Sequence, residues 1–407
     1  MEEAAADSKT IPQRMLQRSS RLAAMLGQRR SQLHKVDATP PYVMERCGTV
    51  MVPEKGNPLE EEGVLNPASA RGADGSIYLF PRMVAAGNFS RIGRVRVHVD
   101  GSGVPIGVER LGVAVQAEHS WEVRGVEDPR ISWLPRLRLW IMTYTAVGPL
   151  GPRIAIASSE DLITWKKLGL ATFVSEPTLG VDFNGYHNKD ALVVPNPVTA
   201  PDGTLCYAII HRPMWDMSWT AGSSGTVLPE GTTDSREAMW VSYAPAREVE
   251  RDARRLTVMF QHRPLALPEY PWEEVKIGGG TPPVSVPEGW LILHHGISRR
   301  SPDFPGDRGL TYSAGAMILD RKHVERVLAR SRTPLLVPER KGETEGIVGH
   351  VVFPTAIEPH ANGKDSYTVF YGMADSQIGA AILRREPAAP QTDGSPGSLI
   401  PGMPLSG

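Results

Sequence analysis

From Pro40 onward the chain alternates between short apolar runs and clusters of Gly, Pro, Asn and Asp, the texture of strands separated by tight turns. Five runs, at 76–80, 137–142, 205–210, 290–295 and 367–371, suit the pleated, half-buried surface of a sheet. Several follow the same punctuation: Asp74-Gly75, Asp202-Gly203, Glu288-Gly289 and Asn362-Gly363 each place a turn before an outgoing strand. Runs at 153–158, 238–243 and 379–383 supply partner strands. The units recur about every 65–85 residues, longer than the 40–50 of common propeller repeats, so the loops must be long. The pattern predicts an all-β fold of five repeating antiparallel units. Radial repetition would leave a central channel ringed by loops, and a two-sheet sandwich is the alternative.

Two stretches depart from this texture. Residues 8–35 interleave seven Lys or Arg with Ile11, Met15, Leu16, Leu22, Met25, Leu26 and Leu33 at a spacing nearer a helix than a strand. They predict an N-terminal helical arm, 1–40, packed on its own body or on a second copy of the chain; membrane or nucleic-acid binding is the sharper alternative. Residues 321–332 predict a further helix. Residues 387–407 are rich in Pro, Gly and Ser and predict a disordered tail, leaving 41–386 as the main domain.

With 407 residues and 41% hydrophobic content, the chain can bury a large core. Lys plus Arg (44) nearly balances Asp plus Glu (45), which removes the diffuse attraction that holds nucleic acid or an anionic membrane. Cys47 and Cys206 are far apart and lack zinc or redox spacing, so they are expected to be packing residues. No segment approaches the roughly 18 apolar residues of a membrane span, and the expectation is a cytoplasmic protein.

Chemistry concentrates in a few clusters. Glu127-Asp128-Pro129-Arg130 runs into a strand; one carboxylate there can face solvent while the other bonds a neighbouring Arg, although such a turn is more often only salt-bridged. His187-Asn188-Lys189-Asp190 and His211-Arg212-Pro213 carry donors suited to an oxyanion, or simply form solvated polar loops. Lys276 precedes Gly278-Gly279-Gly280, where glycines allow positive φ or close approach of the backbone to a ligand, or merely a flexible connection. His294 and His295 are adjacent on a predicted strand and so point to opposite faces, which argues against a shared metal ion.

The order of these clusters is more specific than any one of them. Glu127-Asp128-Pro129-Arg130, Asn188-Lys189-Asp190-Ala191, His211-Arg212-Pro213, Lys276-Ile277-Gly278-Gly279-Gly280-Thr281-Pro282-Pro283, His295-Gly296, Tyr312-Ser313-Ala314-Gly315-Ala316 with Asp320, Val351-Val352-Phe353-Pro354 and Tyr371-Gly372-Met373-Ala374-Asp375 together resemble glycoside hydrolase family 130 over about residues 60–385. The resemblance implies a five-bladed β-propeller. It also implies phosphorolysis of a β-linked mannoside or manno-oligosaccharide with inversion, giving α-mannose 1-phosphate and a shortened acceptor, with inorganic phosphate as co-substrate and no cofactor or metal.

On that resemblance Asp128 is the general acid, passing its proton through a sugar hydroxyl to the glycosidic oxygen. Lys189, Arg212 and Lys276 would hold phosphate with support from His295, and Asn66, Arg82, Asp190 and Asp375 would grip the sugar. Position 189 is Lys where several family phosphorylases carry Arg, which keeps the charge and loses the bidentate fork. A phosphorylase replaces the base of an inverting hydrolase with an anionic nucleophile, so it needs fixed cations instead. Retention of Arg212 and Lys276 favours phosphorolysis over the β-mannosidases of the same family, and a non-catalytic glycan-binding propeller comes last. Trp215 and Trp219, on a loop with Gly222-Ser223-Ser224-Gly225, either form an acceptor subsite or seal the propeller edge.

Overall fold

A computed structural model describes residues 36–220, 225–300, 309–361, 363 and 365–386. Twenty-three strands account for most of them, in chain order. First comes β1 (Tyr42–Met51), then β2 (Gly63–Arg71), β3 (Ile77–Ala85), β4 (Phe89–Val99) and β5 (Pro105–Val115). Next are β6 (Gly125–Leu134), β7 (Leu139–Gly148), β8 (Gly151–Ser159) and β9 (Lys166–Leu170). A third group holds β10 (Thr172–Phe173), β11 (His187–Val193), β12 (Val198–Thr199), β13 (Leu205–Met214), β14 (Met239–Pro245) and β15 (Val258–Ala266). A fourth holds β16 (Lys276–Gly279), β17 (Val284–Val286), β18 (Gly289–Arg299), β19 (Leu310–Leu319) and β20 (Val327–Arg330), and the chain continues into β21 (Val352–Pro359), β22 (Ser366–Met373) and β23 (Gln377–Arg385).

These strands form four hydrogen-bonded sheets. The largest consists of two antiparallel runs, β2-β3-β4-β5 and β6-β7-β8-β9, joined only where Ser90 of β4 pairs with Gly125 of β6. The others run β11-β13-β14-β15, β16-β18-β19-β20 and β21-β22-β23-β1. The chain thus ends on its own beginning: β1 pairs antiparallel with β23, Tyr42 opposite Arg385.

The five apolar runs of the sequence lie in β3, β7, β13, β18 and β22, each the second strand of its run. The turns are built as their residues require. Gly75 has φ +79° while Asp74 Oδ1 accepts the Ser76 amide at 3.1 Å; Gly203 has φ +88° while Asp202 Oδ1 accepts that of Thr204 at 2.8 Å.

Burial is cyclic. Phe80 and Ile92 pack on Met142 and Tyr144; Ile141 and Ile154 on Tyr207 and Trp240; Ile210 and Val241 on Trp290 and Ile292; Leu291 and Leu293 on Ile357 and Val369; and Phe370 and Ile378 on Leu79 and Val95, which closes the circuit. Cys206 lies inside this core and Cys47 is half-buried beside it.

The helix expected at 321–332 is absent. Asp320 Oδ1 accepts the amides of Lys322 and His323 at 2.8 Å each, turning the chain, and β20 then pairs with β19, Ala329 opposite Ile318. A dozen residues are too few to hold a helix by propensity alone, and the sheet edge offers backbone partners. The expected arm, apart from residues 36–40, and the expected tail lie outside the described residues. No described helix is long and apolar enough to cross a membrane.

Candidate active site

The strands β2, β6, β11 and β21 lie against one another, and β16 joins them beside β11. The candidate residues sit where the regular pairing of these strands breaks. Pairing of β2 with β3 slips between Leu65 and Ala68, that of β6 with β7 between Glu127 and Arg130, and that of β11 with β13 between Lys189 and Leu192. At those slips Asn66, Asp128 and Asp190 take left-handed backbone, with φ of +41°, +47° and +57°. Asp375, in the turn between β22 and β23, has φ +50°.

Asn and Asp tolerate this region better than other side-chain-bearing residues, yet each such residue costs about 1–2 kcal/mol. Pro67 and Pro129 lie within two of the slips and lack the amide a continued ladder would use. Each bulge turns a polar side chain out of the strand's alternation.

One group centres on Asp128. Its Oδ1 accepts from Asn66 Nδ2 at 3.0 Å and from Arg82 Nη1 at 3.4 Å. Arg82 Nη2 also donates to Glu127 Oε1 at 3.0 Å, and Lys189 Nζ lies 3.2 Å from Glu127 Oε2. Burial opposes ionisation of Asp128, but the charges of Arg82, Lys189 and Arg130 and the Asn66 hydrogen bond outweigh it and hold the carboxyl below its usual range. Asp375 goes the other way. Burial, and then the charge of Asp128, push its carboxyl up to about 6 against Arg82 and Lys189.

A second group centres on Asp190. Its Oδ2 accepts from Arg212 Nε at 2.7 Å and lies 3.8 Å from His295 Nε2. Burial disfavours the Asp190 anion, but Arg212, His295 and Arg130 overcome this and hold its carboxyl far below the ordinary range. Burial drives His295 down to about 3 despite Asp190, so at neutral pH it offers an uncharged imidazole. Glu237 completes the group: its Oε2 meets Arg212 Nη1 and stands 3.5 Å from Lys276 Nζ.

Arg130, fully buried, joins the groups, donating to the carbonyls of Asp128 (2.9 Å, from Nη1) and Gly280 (from Nε) and stacking on Phe353. The three glycines serve close approach rather than positive φ. A Cβ on Gly278 would stand 2.4 Å from both Asp190 Oδ2 and the His295 ring, and one on Gly280 would stand 2.7 Å from the carbonyls of Leu293 and Pro354.

Ten of the eleven residues singled out in the sequence lie in or beside these groups or on the adjoining loop; Lys189 falls beside Glu127 and Asp128 rather than with Arg212 and Lys276. Trp215 is the exception. At 2% exposure it packs on Phe183, Tyr186 and Trp240 in the core and presents no open face to a sugar. Trp219 is 36% exposed, stacked on His187 and flanked by Arg153. His294 faces away from His295, its Nε2 donating to Glu273 Oε1 at 3.0 Å, as strand alternation requires. Glu237 went unrecognised in the sequence, since Ser235-Arg236-Glu237-Ala238 carries no motif; Arg130 stood in the Glu127-Asp128-Pro129-Arg130 cluster without a role, because its contact with Gly280 spans 150 residues.

A sizeable cavity lies elsewhere. It measures about 750 Å³, and Ser69, Ile131, Trp133, Pro195, Trp290 and Glu358 are among its lining. None of the candidate residues lines it. Charge, not volume, marks the site.

The family model described as beta-1,4-mannooligosaccharide phosphorylase matches residues 39–387. The chain belongs to glycoside hydrolase family 130. A 1,2-beta-oligomannan phosphorylase from Thermoanaerobacter sp. (strain X514) is 28% identical over 341 residues, covering 82% of this chain and 94% of that protein. A beta-1,4-mannooligosaccharide phosphorylase from Ruminococcus albus is 34% identical over 244 residues, 57% of this chain and 61% of its own length. Among solved structures, the beta-1,2-mannobiose phosphorylase of Listeria innocua with beta-1,2-mannobiose superposes with a TM-score of 0.61 at 19% identity, over 84% of this chain and 96% of that one. That likeness concerns the fold. The family membership gives the Asp128 and Asp190 groups a chemical context.

Proposed function

We propose that this family 130 protein is an inverting β-mannoside phosphorylase, its residues 41–386 forming a five-bladed β-propeller. The cyclic packing of five antiparallel runs supports the blade count, with β2, β6, β11, β16 and β21 as the innermost strands. One observation carries the chemistry: Arg212 and Lys276 converge on a single carboxylate oxygen, a position built to hold an anionic oxygen, in the same site as Asp128.

In this reading a phosphate oxygen held by Arg212 and Lys276 attacks the anomeric carbon from the face opposite the glycosidic oxygen. The carbon–oxygen bond to the acceptor breaks, the configuration inverts from β to α, and the leaving oxygen takes the proton carried by the Asp128–Asp375 pair. Asn66 and Arg82 position the Asp128 carboxyl, and Asp375, pushed up to about 6, raises the proton affinity of the pair and keeps it loaded below that pH. Neutral His295 supplies a hydrogen bond without adding charge.

The test is turnover of β-1,2- and β-1,4-mannosides with and without inorganic phosphate. Phosphate-dependent α-mannose 1-phosphate is the expected product, and Arg212→Ala is expected to raise the phosphate KM about 10–100-fold, the worth of a charge-assisted hydrogen bond. Free mannose formed equally fast without phosphate would overturn the reading. Glu237 favours that second reading, hydrolysis, because a carboxylate among the cations is where a water-activating base would stand.

A further inference from the structure

Glu237 poses a problem for a phosphorylase. The oxygen position where Arg212 and Lys276 converge is already filled by the carboxylate of the chain itself. Both cations are largely buried, and buried positive charges in such proximity need a counter-charge; Asp190 supplies one to Arg212 Nε, leaving the Nη1 edge and Lys276 to Glu237. A phosphate dianion needs those same donors and is repelled by the same carboxylate.

The backbone of Glu237 is pinned, since its carbonyl accepts the Ile277 amide at 3.2 Å beside β16, and its neighbour Arg236 is tied to Asp234 and to the Pro268 carbonyl. The side chain is 18% exposed, so solvent reaches the carboxylate while its backbone stays anchored. Its anchor and its exposure are those of a tethered competitor.

We propose that Glu237 is an internal surrogate for phosphate, a carboxylate that holds Arg212 and Lys276 in register and must be displaced before inorganic phosphate can bind. The proposal rests on the phosphorylase reading and deepens it by naming the residue that sets phosphate affinity. Because phosphate binds only the fraction of molecules with the carboxylate withdrawn, its apparent affinity is lowered by that fraction. Glu237 thereby tunes the phosphate concentration at which the enzyme works.

Glu237→Gln keeps the shape and removes the charge. Its phosphate KM is expected to fall about tenfold, with the mannoside KM unchanged, and calorimetric titration with inorganic phosphate alone is expected to show tighter binding by the same factor. A phosphate KM that stays put or rises would overturn the proposal, since a residue that merely orients Arg212 would weaken phosphate binding when lost. Loss of phosphate-independent mannose release in Glu237→Gln would also overturn it, assigning Glu237 as a base for water. If wild type forms no mannose 1-phosphate, the phosphorylase reading fails first, and the phosphate titration still decides whether Glu237 competes for the anion. Glu237→Asp, which withdraws the carboxylate by one methylene, provides the same comparison should the Gln variant fold poorly; its phosphate KM is also expected to fall, by less.

Discussion

The two ends of the innermost strands could hardly differ more. At their starts β2, β6 and β11 carry Asn66, Asp128 and Asp190 on left-handed backbone among Arg82, Lys189, Arg130 and Arg212. A few residues on, β2 and β6 run in regular register and present Ser69, Ile131 and Trp133 to a mainly apolar cavity of about 750 Å³. Glu358, accepting from Ser69 Oγ at 2.8 Å, stands in its mainly apolar wall, and burial pushes that carboxyl up to about 7. Where the ladder is unbroken, alternation sorts side chains into core and surface. Where it slips, side chains are aimed, and the strain of a left-handed Asn or Asp is tolerated for the sake of that aim.

The sharpest test of this contrast removes a carboxyl at one end and an aromatic ring at the other. Asp128→Asn is expected to lower kcat/KM for mannoside phosphorolysis by about 10²–10⁴, the usual contribution of general acid catalysis, whereas Trp133→Ala is expected to leave it within about twofold. Comparable losses in both would erase the functional difference between the ends.

A smaller effect concerns the proton shared by Asp128 and Asp375. Asp375 is held up at about 6, so the pair is loaded below that pH and empties above it, and kcat/KM is expected to fall as pH rises through this value. Asp375→Asn deletes the negative charge that strengthens proton binding by the pair, so the falling limb should move to lower pH, by about one unit for a close buried neighbour. A limb that stays in place would detach Asp375 from the proton inventory.

The smallest effect is on stability and belongs to the far end. Glu358 has a folded pKa of about 7, above the roughly 4.3 of an unfolded chain, so the folded state binds the proton more tightly. Its contribution is therefore full at acid pH, declines as pH rises from about 4 to 7, and is flat above. Glu358→Gln cannot ionise and still offers an oxygen to Ser69. It is expected to be more stable than wild type by up to about 3 kcal/mol at pH 8 and by about 1 kcal/mol at pH 5, measured by chemical denaturation.

Much of this architecture was legible in the sequence because it is written in short-range terms. Asp74-Gly75 and Asp202-Gly203 make their turns through hydrogen bonds two residues away, so they need no tertiary context. Residues 321–332 misled because a helical spacing of apolar residues says nothing of the free edge of β19 waiting beside it. The site residues next to Pro67 and Pro129 could be picked out through the order of their motifs. Glu237 could not, and neither could the role of Arg130, since both act only where separate strands meet. Trp215 illustrates the converse: an indole looks the same in a sequence whether it will face a sugar or Tyr186 and Trp240.

The pairing of β1 with β23 has a consequence for how the molecule comes into being. Tyr42 opens β1, and its partner Arg385 leaves the ribosome more than 300 residues later. A nascent chain that has emerged as far as Met373 contains every candidate catalytic residue except Asp375, yet β1 still lacks a neighbour and β22 its outer edge. Folding dominated by so distant a contact is slow, and the exposed edges are open to mispairing until the last strand arrives. Synthesis of residues 374–385 is thus the event that both gives β1 its partner and delivers the last carboxyl to the site.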